Sequence, residues 1–315
     1  GGVFKVVNGQ PRTGIARLFP DGSLDPDFNP QVSPYVHRVL LLQGGKILIG
    51  GRFDAVGNSA TKNIATLHED GTIDSPFACR LELSSGSPAF VYSLAAERDG
   101  NILVGGSFNR VNGTTRTGIA RLNPSGATAA FNPNVGGSVS SLLIQPDGKI
   151  VIGGQFFTVG GVSRSRLARL APNGGVDSSF RPNADDAVTS LALQADGKIL
   201  ISGLFNSIDF VTRNRVARLT ADGARDDSFV GTANSAAYTA IMDLDGKIFL
   251  GGIFDKVSEI GSGGFVRLEN DAAINEFTAD DNSIFRWGLG GAAPGLGAVE
   301  FVASSDGREW TKIGD

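Results

Sequence analysis

Along residues 188–193 polar and apolar side chains alternate, as Val188-Thr189-Ser190-Leu191-Ala192-Leu193, with the period of a half-buried strand. Just beyond, Lys198-Ile199-Leu200-Ile201 is apolar at successive positions, which predicts a strand covered on both faces. A Gly-Gly-x-Phe-like signature follows this second run. Its phenylalanine recurs at Phe4, Phe53, Phe108, Phe156, Phe205 and Phe254, at intervals of 48–55 residues. A period of that size marks a repeat architecture and governs every later assignment.

Each unit offers four short strands. Strand a is the alternating run and strand b the apolar one. Strand c is Arg215-Val216-Ala217-Arg218-Leu219, and strand d centres on Asp227-Ser228-Phe229. Between a and b stand Asp99-Gly100, Asp147-Gly148, Asp196-Gly197 and Asp245-Gly246, with Gly44-Gly45 as a variant. Between c and d stand Asp21-Gly22, Asp70-Gly71, Asn173-Gly174 and Asp222-Gly223. Such pairs tolerate the positive φ of tight hairpin turns. The Gly-Gly after strand b predicts a bulge or a close pass against a neighbouring strand. The six signature phenylalanines, with Phe28, Phe77, Phe131, Phe180, Phe229 and Phe277 at strand d, form two periodic sets and read as core.

Four-stranded antiparallel units of this length, repeated about an axis, give a β-propeller. The expected fold is therefore all-β: a single β-propeller domain over residues 1–315 with six four-stranded blades, seven being the alternative. Blade-like repeats lie near 1–30, 36–80, 91–133, 139–182, 188–231 and 238–281. Residues 282–315 form an irregular segment plus closing strands. A linear solenoid is the rival, and it would need atypical caps at both ends. The first unit carries only c and d, at Ile15-Ala16-Arg17-Leu18 and residues 24–28. The last segment reads as a and b: residues 298–303, the Asp306-Gly307 turn and residues 310–314. Sharing one blade between the two ends would close the ring and remove exposed sheet edges. Residues 282–297, with Phe285, Trp287 and Leu289, read as an inserted loop or a strand of a seventh blade.

The cassette Gln-x-Asp-Gly-Lys-Ile-x-Ile-x-Gly-x-Phe, carried by Gln194 to Phe205, is followed in the repeat by Val-Asn-Gly-x-x-Arg-x-x-Ile-Ala-Arg-Leu, matched from Asn112 to Leu122. It ends with Asp-Gly-x-x-Asp-x-x-Phe, as at Asp21 to Phe28. This pattern resembles the bacterial delta-60 repeat over residues 1–281. The resemblance implies a β-propeller, often exported or surface-associated, and brings no family-wide catalytic set. The departures are local. Unit two has Thr66 where others have Arg and adds a segment at 81–90, and unit six replaces the second turn with Asn270-Asp271.

Charge adjusts the functional expectation. The formal net charge is −4, without the basic balance that neutralises phosphates, so nucleic acid is not an expected partner. Cys79 is the single cysteine, which excludes an intrachain disulfide and a cysteine-rich metal site. No apolar run is long enough for a membrane helix, so no direct membrane insertion is expected. The chain opens inside the recurring motif and reads as a trimmed or mature fragment, a monomeric domain of a larger chain.

The d-to-a and b-to-c connections should emerge on one face, where the variable stretches 31–35, 81–90, 132–138, 181–187 and 231–237 gather. Loops on a rigid scaffold are the usual place for binding groups. Tyr35, His37 and Arg38 begin strand a of unit two, with Tyr92 and Tyr238 in comparable positions, so these five are the ligand-binding candidates at a central mouth. The alternative is that they merely fill the channel. The recurring Arg12, Lys62, Arg116, Arg164 and Arg213 read as ties of the b-to-c loop, a positive crown for anionic glycans being the alternative, and Arg17, Arg121, Arg169, Arg218 and Arg267 within strand c read as structural ties too.

Two histidines provide no metal-ligand spacing, Asp-Gly turns lack the other acids of a calcium loop, and no cofactor or metal is expected. Asn112-Gly113-Thr114 fits a glycosylation sequon but reads as a repeat loop. No nucleophile–base pair is identifiable, and the catalytic residues stay unassigned. The favoured reading is a non-enzymatic extracellular or cell-surface propeller, binding a protein or glycan through its loop-rich face or serving as a scaffold. A polysaccharide hydrolase or lyase with a site at the central mouth, and a surface-layer structural protein, are the alternatives.

Overall fold

Five antiparallel units in the order a–b–c follow one another in a computed structural model of the chain, which describes residues 1–258, 260–271, 273–279, 285–294, 301–303 and 311–314. Their inner strands are Val32–Leu41, Phe90–Ala96, Val135–Ile144, Val188–Leu193 and Ala237–Met242. Strand b of each unit pairs with a on one side and c on the other; Ile199–Gly203, for example, lies between Val188–Leu193 and Val216–Leu219. Residues 1–28 form a sixth strand-rich unit with the Val6–Val7/Gln10–Pro11 hairpin and the Leu18–Leu24 bridge. The arrangement is an all-β, propeller-like set of six repeated units. Among the described residues no helix is long and apolar enough to cross a membrane.

Strand d is shorter than the sequence predicts. It is reduced to single bridges, Leu170–Val176 and Leu219–Arg225 among them. The cause is local. Asp226 Oδ1 accepts the Ser228 amide at 3.0 Å and its hydroxyl at 2.6 Å, closing a turn that removes these residues from ladder pairing. Phe229 then folds back into the core.

The b-to-c connections are small hairpins, such as Ser207–Ile208 with Val211–Thr212. Each d-to-a link docks on the hairpin of the next unit, as Ala184 does on Ile208 and Ala233 on Val257, so the two connections share one face. The added segment at 81–90 is not all loop: Leu81–Glu82 pairs with Arg110–Val111 and widens the hairpin of unit three.

Phe53, Phe108, Phe156, Phe205 and Phe254 are at most 2% exposed, and so are Phe28, Phe131 and Phe180. Phe4 and Phe77 are partly buried. The side chain of Phe277 lies outside the described residues. Ile199, Leu200 and Ile201 are all fully buried, as a strand covered on both faces requires. The glycine pair after strand b allows two close approaches. A Cβ on Gly153 would meet Val188 at 2.8 Å, and one on Gly154 would meet the Ser138 carbonyl at 2.2 Å.

Toward the C-terminus, Ala273–Ala279 pairs with Phe285–Gly291, so part of the stretch read as irregular is a hairpin. Residues 291–294 then reach the a–b turn of unit five, where the Ala195 amide donates to Ala293 at 2.8 Å and Gln194 bridges Pro294. Phe301–Ala303 pairs with Thr311–Gly314. The expected residues 282–284, 298–300, the Asp306-Gly307 turn and Trp310 lie outside the described residues.

Candidate functional site

Near the start of each inner strand one buried residue recurs: Val36, Val91, Val139, Val188 and Ala237. Strand alternation sends the following side chain to the opposite side, and that side chain is His37, Tyr92, Ser140, Thr189 or Tyr238. The register shifts at this point in all five units, between Val36 and Arg38, Val91 and Ser93, Val139 and Ser141, Val188 and Ser190, and Ala237 and Thr239. Such bulges re-aim side chains. Here they gather residues from five units around one cavity.

That cavity has a volume of about 490 Å³ and is lined by His37, Arg38, Tyr92, Ser140, Thr189, Ser190, Tyr238 and Thr239. A second cavity of about 290 Å³ shares Arg38, Ser190 and Thr239 with it and is bounded by Pro294. No aspartate or glutamate is among the described lining residues of either.

An aromatic strip runs from the cavity across units two and three. The His37 and Tyr92 rings meet edge to face at 5.7 Å, and Tyr92 stacks on Phe90 at 5.7 Å. Tyr35 stands 6.5 Å from His37 at the other end. The Arg52 guanidinium lies over both Tyr35, at 6.0 Å, and Phe90, at 5.2 Å. Burial lowers the pKa of His37, favouring the neutral imidazole, and raises that of the Tyr92 phenol. Burial also lowers Arg38 from its ordinary value, yet a guanidinium stays charged at neutral pH.

Four of the five residues singled out in the sequence, His37, Arg38, Tyr92 and Tyr238, line the cavity, while Tyr35 stands beside it in the aromatic strip. Ser140, Thr189, Ser190 and Thr239 were not anticipated. The signal was available, because in repeat register Ser140 and Thr189 occupy the His37 position. Arg52 and Phe90 gave no such signal, since their meeting depends on how units two and three pack.

The recurring arginines point elsewhere. Arg12, Arg116 and Arg164 donate to backbone carbonyls of Asp25, Ala129 and Asp177, at 3.0, 2.9 and 3.3 Å, and Arg213 pairs with Asp227 at 2.6 Å. The sequon asparagine is also structural: Asn112 Oδ1 accepts the Arg80 amide at 2.8 Å while its Nδ2 donates to Gly126 at 3.0 Å. Among the described residues no group of acids, histidines or cysteine could hold a metal ion.

Six segments, residues 1–28, 45–77, 97–128, 145–180, 194–229 and 244–274, match the family described as "Domain of unknown function (DUF5122) beta-propeller". No curated protein matches the chain. Among solved structures, a proposed gluconolactonase is similar at 15% identity and a TM-score of 0.45, over 78% of this chain and 77% of that one. The extracellular domain of a proposed one-component system from B. thetaiotaomicron matches at 14% identity and a TM-score of 0.41, over 84% of this chain and 39% of that one. PorZ, a surface component of the type-IX secretion system of Porphyromonas gingivalis, matches at 12% identity and a TM-score of 0.40, over 86% of this chain and 41% of that one. The chain thus spans about two fifths of the length of the latter two.

Proposed function

The chain belongs to the DUF5122 β-propeller family, and on that premise we propose a non-enzymatic binding propeller that takes its ligand, a glycan or a protein segment, at the central cavity. One observation carries this reading. Four residues by which units two, three and six depart from the serines and threonine of units four and five, His37, Arg38, Tyr92 and Tyr238, converge on a single cavity. Its volume of about 490 Å³ lies within the roughly 300–1,000 Å³ of small-molecule sites. Rings, hydroxyls and one guanidinium are groups that hold a polar ligand by stacking and hydrogen bonding.

Calorimetric titration of the chain with a panel of glycans tests it. The expected result is saturable binding that Tyr92→Ala and Tyr238→Ala each weaken, with Tyr238→Ala, whose ring is about half exposed, leaving the melting temperature unchanged. Binding unaffected by both substitutions would remove the cavity from the proposal.

A catalytic reading is second. Hydrolysis by paired carboxylates finds no acid among the described lining residues, whereas a neutral His37 beside Tyr92 and Arg38 has the base and cation of an elimination. Loss of polysaccharide chain length on incubation would favour it, and unchanged chain length would oppose it.

The proposal extends to setting and closure. We place the domain at the cell surface or outside the cell, as one domain of a larger chain, and identify its units with the delta-60 repeat. The ring would close with six blades, the first shared between the two ends. Gly1 supports this, since a Cβ there would meet Val36 at 2.7 Å just as one on Gly50 would meet Val91 at 2.5 Å. Removing residues 301–315 should lower the melting temperature and promote aggregation through an unpaired edge. An unchanged melting temperature would oppose the shared blade.

A further inference from the structure

We infer that the central cavity selects an acidic saccharide, a uronate whose carboxylate pairs with Arg38; this rests on the binding role proposed above. Arg38 occupies a ring position that the other units fill with Ser93, Ser141, Ser190 and Thr239. In units four and five the hydroxyl at that position ties neighbouring inner strands together. Ser141 Oγ accepts the Leu191 amide at 3.1 Å, and Ser190 Oγ accepts the Ala240 amide at 3.2 Å. Arg38 replaces that tie with a long cation and makes no ion pair among the described residues. Arg38 is the one charged residue at this repeat position among units two to six, and a departure of that kind is where function is expected to override fold.

The cation faces both cavities, and no carboxylate lines either among the described residues. Among the described residues the site therefore has positive charge and hydroxyl partners and no internal counter-ion. A guanidinium binds a carboxylate through two parallel N–H donors, which fixes the orientation of the anion. The rest of the lining suits a sugar ring. Tyr238, about half exposed, offers a face for C–H stacking, while Ser140, Thr189 and Thr239 offer hydroxyls for the sugar's own. A bare anion would leave those groups unused.

The test is calorimetric titration of the full chain at neutral pH with short oligomers of galacturonate, glucuronate and mannuronate, each against its methyl ester, which keeps the shape and removes the charge. At least one acid should bind about 10- to 100-fold more tightly than its ester, the range of a charge-assisted bond. Arg38→Ser installs the serine that units three, four and five carry, so it should leave the melting temperature unchanged and abolish the preference.

Equal binding of acid and ester would overturn uronate selection and leave the binding role standing. So would retention of the preference in Arg38→Ser. Inorganic phosphate bound as tightly as the best oligomer would reduce the site to a bare anion site and overturn the saccharide assignment. If no uronate binds at all, the inference fails. In that case the binding role survives only where a neutral glycan binds and Tyr238→Ala weakens it.

Discussion

Glu97 receives Arg121 through two contacts, 2.6 Å to Nε and 2.7 Å to Nη2, although the equivalent arginines elsewhere pair with an aspartate beyond strand c. Those pairs are Arg17 with Asp25 at 2.7 Å, Arg169 with Asp177 at 2.9 Å and Arg218 with Asp226 at 2.8 Å. In unit three that aspartate position is Ala129, and the acid has moved to the end of strand a. The arginine's other duties are retained. It covers Phe131 at 4.4 Å and donates to the Pro172 carbonyl in the next unit at 2.8 Å. Arg17, Arg121, Arg169 and Arg218 thus each anchor a core ring and tie their unit to the next.

Glu97→Ala should therefore destabilise the chain, since both partners are largely covered, 16% and 15% exposed. The loss should fall between about 1 kcal/mol for an exposed pair and about 3–5 kcal/mol for a buried one. Adding Ala129→Asp should recover part of it by supplying the acid where the other units keep it. Urea unfolding of the single and double variants measures both effects, and an unrescued double variant would contradict the equivalence of the two positions.

Asp177 and Asp226 make stability depend on acid. The Ser179 hydroxyl, working against burial and joined by the Ser179 amide and Arg169, holds Asp177 at about 2. For Asp226 burial is the largest influence and would raise it, but Ser228 and Arg218 together outweigh burial and bring it to about 2. A carboxyl whose folded pKa lies below its unfolded value of about 3.9 adds stability in full above that value. The contribution drains away as pH falls from about 4 towards 2. After solvent screening it amounts to about 1–2 kcal/mol for each group. Melting temperature followed from pH 5 to pH 2 should fall, and Asp177→Asn should flatten the slope. A slope that the substitution leaves unchanged would show that other carboxylates carry the acid sensitivity.

Much of this was legible because the repeat states each rule several times. The signature phenylalanines, the Asp-Gly turns and the covered strand b all follow from local pattern, and periodicity placed His37, Tyr92 and Tyr238 in one ring. The shortened strand d was less readable. Asp226-Asp227-Ser228 fits a strand end by position, but the Asp226 side chain competes successfully for the Ser228 amide. The Arg52 contact over Tyr35 and Phe90, and the cavity's second compartment at Pro294, depend on packing between distant segments. No local period encodes those.

The glycine pair supplies a sharper test of close packing. Gly154→Ala places a methyl group 2.2 Å from the Ser138 carbonyl, a backbone atom held by its own ladder. Relieving that clash means opening the a–b pairing at the bulge, so the variant should unfold at markedly lower urea, at a cost of several kcal/mol. Gly261→Ala serves as the control, because a Cβ there meets nothing within 4 Å. It should stay within about 0.5 kcal/mol of the parent. Equal stability of the two variants would contradict the close approach.

Cys79 reports on the same packing without any substitution. It keeps part of its surface in solvent, yet burial pushes its thiol up to about 12. It packs against the cluster containing Leu81, Val111 and Leu122. Thiolate is the reactive form, so the native thiol should react with a disulfide reagent at pH 8 about a thousandfold more slowly than a free cysteine. Reaction then proceeds through opening of unit three, and its rate should rise with urea well below the global transition. Prompt labelling of the native chain would mean that the 79–81 segment is not held against its neighbours. A slow rate that rises only at the global midpoint would contradict local opening and join this unit to the cooperative core.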